Sequence, residues 1–163
     1  MRSVAMRALT LKLGGELFAI EAECVREILD LVPVTNVPNA NPFARGLINV
    51  RGRVVPLADL KVAFGMVEKE ADADTRIVVI ETEIEGEPTV IGIRADKVFE
   101  VTDIEPAAIE DAPRVGMPWR PDYVNGIGKR NGSFIIIPDL QRVFETQGRR
   151  SAPSAVSEER AVS

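Results

Sequence analysis

The 163-residue sequence contains no histidine. Without imidazole there is no Ser-His or Cys-His nucleophile pair and no histidine metal site. A single cysteine, Cys24, excludes an intrachain disulfide and a cysteine-rich zinc cluster, and it fits a reducing compartment. Long apolar runs are missing as well. The longest, Ile77 to Ile80 and Phe134 to Ile137, are far too short to span a bilayer. Arg2, Arg7 and Lys12 lie near the N-terminus without a continuous apolar stretch, so no signal peptide is expected. A basic surface is lacking too. Lys and Arg number 20 against 25 Asp and Glu, a net charge of −5, which argues against non-specific binding of nucleic acid or anionic membranes. The expectation is a soluble cytoplasmic chain without membrane insertion.

Catalytic signatures are equally absent. The sequence has no Walker phosphate loop and no G-x-S-x-G elbow, and Gly126-Ile127-Gly128 lacks the third glycine of a dinucleotide fingerprint. Asp72 and Asp74 read as a solvated acidic linker, because the other oxygen ligands of a calcium loop are missing. Glu83, Glu85 and Glu87 read as solubilising hairpin charges, and Asn131-Gly132-Ser133 as a hairpin turn. Cys24 reads as a structural position and not a reactive thiol. No catalytic, metal-ligating or cofactor-binding residue is assigned, and the expectation is a protein without enzymatic activity.

What the chain does contain is β-branched. Apolar residues make up 45% and charged residues 28%, enough to bury a core, and Val and Ile number 34 against 10 Leu. Leu9 to Leu13 alternates strictly, Gly14-Gly15 supplies a hairpin turn, and Leu17 to Ile20 resumes. Val25 to Val32 is a candidate strand closed by Pro33. Gly46 to Val50 and Arg53 to Ala58 flank a tight turn at Arg51-Gly52. Short helices are expected after Asp59 and Asp139, each placed as an N-cap. The fold class is all-β with short helices.

The sequence repeats itself. LFAIEAECVREI (17–28) aligns with VIGIRADKVFEV (90–101) at a shift of 73, matching Phe18 to Ile91, Glu23 to Asp96 and Glu27 to Glu100. GLINVRGRVVPLADL (46–60) aligns with GIGKRNGSFIIIPDL (126–140) at a shift of 80, matching Gly52 to Gly132 and Asp59 to Asp139. The strand from Arg7 matches that from Arg76 at a shift of 69. Five short strands in each copy suit a small, nearly closed barrel, and units that small need each other's surface. The division expected is an N-terminal segment 1–8, a first barrel 9–70, a second barrel 71–145, and a polar, disordered tail 146–163.

Glu27 interrupts an apolar strand, and Arg51 ends another. Together they could form an ion pair on a barrel rim that orients a binding groove, where composition alone favours two ordinary solvated charges. The second copy keeps Glu100 but has Asn131 in place of the arginine, so only the first barrel can make this pair, a difference that favours the groove reading and different jobs for the two barrels.

At FAIEAECVREIL (18–29), FARGLINVRGRVVPLADLKVAFG (43–65), IGIRADKVFEV (91–101) and YVNGIGKRNGSFIIIPDL (123–140) the sequence resembles the CheW family of bacterial chemotaxis adaptors. Val50 stands where that family more commonly has Leu. The resemblance implies two intertwined SH3-like five-stranded barrels and a non-catalytic scaffold. Such a scaffold couples the cytoplasmic hairpin tip of methyl-accepting chemoreceptors to the regulatory domain of the histidine kinase CheA. It assigns Val25, Glu27, Ile28, Arg45, Gly46 and Arg51 to the receptor-coupling region and places the kinase contact on the second barrel, without naming its residues. Alternatives within the family are an adaptor of a non-chemotaxis signalling array, a CheA regulatory-domain fragment, or a CheV fragment. Met1 and the polar tail favour a standalone adaptor. No cofactor is implied, and membrane arrays would be reached only through partners.

Overall fold

The computed structural model describes residues 5–130 and 132–148. The described residues include twelve strands: β1 (Met6–Leu13), β2 (Glu16–Glu21), β3 (Val25–Asp30), β4 (Thr35–Asn36), β5 (Gly46–Val50) and β6 (Arg53–Ala58), then β7 (Arg76–Ile84), β8 (Glu87–Ala95), β9 (Lys97–Ile104), β10 (Ile109–Glu110), β11 (Val124–Arg130) and β12 (Ser133–Pro138). A one-turn helix α1 (Leu60–Ala63) follows β6, and α2 (residues 140–148) follows β12. Both helices begin where the sequence places a capping aspartate. Asp59 Oδ1 accepts from Lys61 N at 3.0 Å and Asp139 Oδ1 from Arg142 N at 3.1 Å.

The strands form two curled sheets, ordered β10-β11-β12-β2-β1-β9 and β4-β5-β6-β8-β7-β3. These orders become identical when each strand is replaced by its sequence repeat. Each sheet holds five longer strands and a two-residue edge strand, and each carries one parallel pair, β12 with β2 and β6 with β8. The first hairpin of each copy is exchanged: β1–β2 completes the sheet of the second copy, and β7–β8 completes that of the first. The sequence boundary near residue 70 therefore separates the two copies in the chain, while each sheet draws strands from both sides of it.

This exchange explains the burial of the central strands. Along β1, Ala8 enters the core of its own sheet, whereas Leu9, Leu11 and Leu13 enter a core shared between the sheets. Along β7, Ile77 and Val79 lie in the second sheet's core and Val78 and Ile80 in the shared one. Alternate side chains point to opposite faces, so β7, covered on both, reads as the unbroken apolar run Ile77 to Ile80, whereas β1 keeps Thr10 and Lys12 between its leucines. Phe64 is the hub of the shared core, 5.2 Å edge-on from Phe18 and 5.6 Å from Trp119, centroid to centroid.

Three expectations need correction. The N-terminal segment is not patternless to residue 8: Met6 to Ala8 already pair with β9, in the register Met6 to Ile104. The candidate strand 25–32 ends at Asp30. The tail does not start at Thr146, because α2 continues to residue 148. Gln147 is buried there, with Nε2 donating to Tyr123 Oη at 2.9 Å and its backbone carbonyl accepting from Asn41 Nδ2 at 2.9 Å. A polar residue that the sequence pattern places on a solvated tail is instead satisfied by two distant side chains. Asn131, residues 1–4 and the tail from 149 lie outside the described residues.

Candidate functional site

Arg51 and Glu27 meet across the first copy's sheet. β5 and β6 pair out to Val50 and Arg53, which leaves a two-residue turn. Arg51 and Gly52 both have left-handed backbone, φ +53 and +84, the geometry that matches hairpin twist. Asn49 Oδ1 supports the turn by accepting from Gly52 N at 2.9 Å. Glu27 is aimed by an irregularity. The register of β3 against β7 shifts between Val25 and Glu27, and such a bulge re-aims the side chains beside it. The outcome is a bidentate pair, Arg51 Nε to Glu27 Oε2 at 3.0 Å and Nη2 to Oε1 at 3.2 Å. The arginine side chain is 80% exposed and the glutamate 24%. So exposed a pair adds little to stability, and the guanidinium has N–H donors beyond the two that hold Glu27, available to an incoming polar group.

The remaining sequence candidates have different surroundings. Ile28 is exposed on the outer face of β3, whereas Val25 is half-buried against the shared core. Arg45 is exposed, and its carbonyl accepts from Val37 N at 2.7 Å. Gly46 is buried, and a Cβ there would stand 2.7 Å from Val34 Cγ1, so its role is to let the 34–37 segment approach. Leu31 and, within that segment, Val34 and Val37 join Ile28 as exposed apolar residues, and the sequence singled out none of these three. Pro33 and Pro38 obscured them by breaking any strand periodicity.

On the other sheet Phe99, Val101 and Phe134 are exposed. The 111–120 loop overhangs a groove of about 520 Å³ lined by Met117, Pro118, Trp119, Ile127 and Phe134. Cys24 donates to Glu21 O at 3.1 Å, and burial first, with Glu21 nearby, pushes its pKa up to about 11, as suits an unreactive thiol. Among the described residues no group of His, Cys, Asp or Glu is arranged to hold a metal ion, and no helix is long and apolar enough to cross a membrane.

A family model described as the CheW-like domain matches residues 7–148. The chain belongs to the CheW family. Among its relatives are a chemotaxis protein CheW of Rhizobium meliloti (strain 1021), 28% identical over 86% of this chain and 88% of that protein, and one of Bacillus subtilis (strain 168), 29% identical over 85% and 86%. The crystal structure of the scaffolding protein TtCheW from Thermoanaerobacter tengcongensis superposes with a TM-score of 0.75 at 33% identity, covering 86% of this chain and 93% of that one. The two curled sheets are thus the SH3-like barrels of CheW, and the chain is a chemotaxis scaffold of a non-catalytic family.

Proposed function

We propose that this chain couples the cytoplasmic hairpin tip of chemoreceptors to a CheA-type histidine kinase in the cytoplasm. The observation that carries the receptor half is the bidentate Arg51–Glu27 pair beside exposed Ile28, Leu31 and Val34. An amphipathic helical tip needs apolar area to cover and fixed charges to set its orientation, and this face offers both. Glu27 and Arg51 orient the receptor and Ile28 supplies contact area, with Arg45 on the rim and Val25 and Gly46 shaping the surface beneath. The kinase regulatory domain is assigned to the second barrel, whose exposed Phe99, Val101 and Phe134 are apolar and carry no counterpart of the Arg51 pair.

The test is a titration of the chain and of Arg51→Ala against a receptor cytoplasmic fragment. The substitution should leave the fold nearly intact and weaken receptor binding more than tenfold. Unchanged affinity removes Arg51 from the receptor site. Failure of the unsubstituted chain to bind any chemoreceptor fragment would place it in another signalling array of the same family.

A further inference from the structure

The chain passes between the two sheets at two direct crossings. One runs through Ala22–Cys24, between β2 and β3, and the other through a single residue, Asp96, between β8 and β9. Asp96 is buried and is held from both sides. Its Oδ1 lies 2.6 Å from Lys61 Nζ, on the helix that follows β6, and the two side chains are only 8% and 2% exposed. Its Oδ2 accepts from Gly14 N at 2.8 Å, in the β1–β2 turn of the opposite sheet, and its own N donates to Lys12 O at 2.9 Å. Met66 closes the circuit: its N donates to Lys61 O at 2.8 Å, and its Sδ sits where a Cβ on Gly14 would come within 2.9 Å.

The sequence repeat provides a comparison inside the same molecule. The counterpart of Asp96 is Glu23 and that of Lys61 is Gln141, and both are exposed. The buried ion pair thus belongs to one seam only. Burying two charges costs desolvation that their attraction barely offsets, and an apolar pair of similar size often serves stability as well or better. What an ion pair adds is a fixed distance and direction. Burial by itself would raise the Asp96 carboxyl, but Lys61 and the Gly14 N–H outweigh it and hold the group below the usual carboxylate range.

We propose that Lys61 and Asp96 are positioning residues that set the orientation of one barrel relative to the other. They would thereby set how the second barrel stands beside the Arg51–Glu27 face, whose strand β3 starts at the other crossing and packs Val25 against the shared core, a second step that rests on the adaptor reading above. Neither residue is part of the contact surface itself.

The test measures geometry first and binding second. Spin labels on Val54→Cys and Phe134→Cys, in a Cys24→Ser background, report across the two sheets, since these equivalent positions are 72% and 64% exposed. The chain with its native pair and Lys61→Arg should give one narrow distance. Lys61→Met with Asp96→Asn, which retains an acceptor for Gly14 N, should broaden or shift it with little change in melting temperature. Should that double variant not fold, Asp96→Glu lengthens the link by one methylene and should give a narrow but displaced distance. Identical distances throughout overturn the proposal. In the binding arm, the unlabelled double variant, with Cys24, Val54 and Phe134 native, should lose receptor fragment at least tenfold and retain the kinase domain. Equal receptor affinity despite an altered distance overturns the link to recognition. An unsubstituted chain that binds no receptor fragment removes the adaptor reading instead, and the label distances still judge the clamp.

Discussion

Arg51 holds a left-handed backbone conformation where asparagine or glycine would be unstrained, and its side chain is what grips Glu27. Turn preference and recognition are therefore separable at this position. Arg51→Asn should match or exceed the parent chain in melting temperature while losing receptor affinity as Arg51→Ala does. A second residue-scale consequence concerns Asp59. Burial first, then a hydrogen bond and charge repulsion with Glu68, push its pKa from 3.8 up to about 7, against the opposing pull of Lys61. Between those values the folded chain keeps a proton that the unfolded chain has released, so this group's contribution to stability falls as pH rises and levels off above about 7. Asp59→Asn keeps the helix cap and should flatten the stability–pH curve across that window, as followed by denaturant unfolding. Equal slopes would show that the carboxyl titrates normally. Glu27 and Arg51 were legible in the sequence because a charge on an apolar strand is conspicuous and the second copy lacks the arginine. Lys61 was not, since a lysine on a short surface helix reads as solvated. The only clue was its place between Leu60 and Phe64, both buried, while Val62 faces outward.

At the scale of elements, turns and caps transferred directly from sequence to structure. The bounds of β5 and β6 are the expected ones, because Arg51-Gly52 leaves no freedom of register. The seam elements depend on tertiary partners and could not be read. α1 has four residues, too few to be stable by itself, and the Lys61–Asp96 pair anchors it. Removing one partner leaves an uncompensated buried charge, so Lys61→Met alone should cost about 3–5 kcal/mol in chemical denaturation. The same loss in the double variant would show that packing volume, and not charge, dominates there. Gly46 tests the β4–β5 approach. Val34 Cγ1 would stand 2.7 Å from a new Cβ and valine is stiff about χ1, so Gly46→Ala should destabilise by about 1–3 kcal/mol.

The duplication was visible in the whole sequence, but the exchange of hairpins was not, because either pairing buries the same apolar pattern. Only the sheet orders show that β1–β2 and β7–β8 change places. The chain is consequently one folding unit in two barrels. Residues 1–70 and 71–163 expressed apart should each lack a stable fold, and mixing them should restore the native circular dichroism spectrum as a one-to-one complex. Two independently folded halves would contradict the exchanged arrangement. The same architecture gives the scaffold two unlike ends from one repeated motif: a first barrel bearing the Arg51–Glu27 pair, and a second bearing Phe99, Val101 and Phe134. The most direct test of that claim is the molar mass, by light scattering, of the complex formed when the chain is mixed with both a chemoreceptor cytoplasmic fragment and a CheA regulatory domain. A single species whose mass includes all three components is the predicted result. Two separate binary complexes, each excluding the third component, would show that the partners compete for one face and would contradict it.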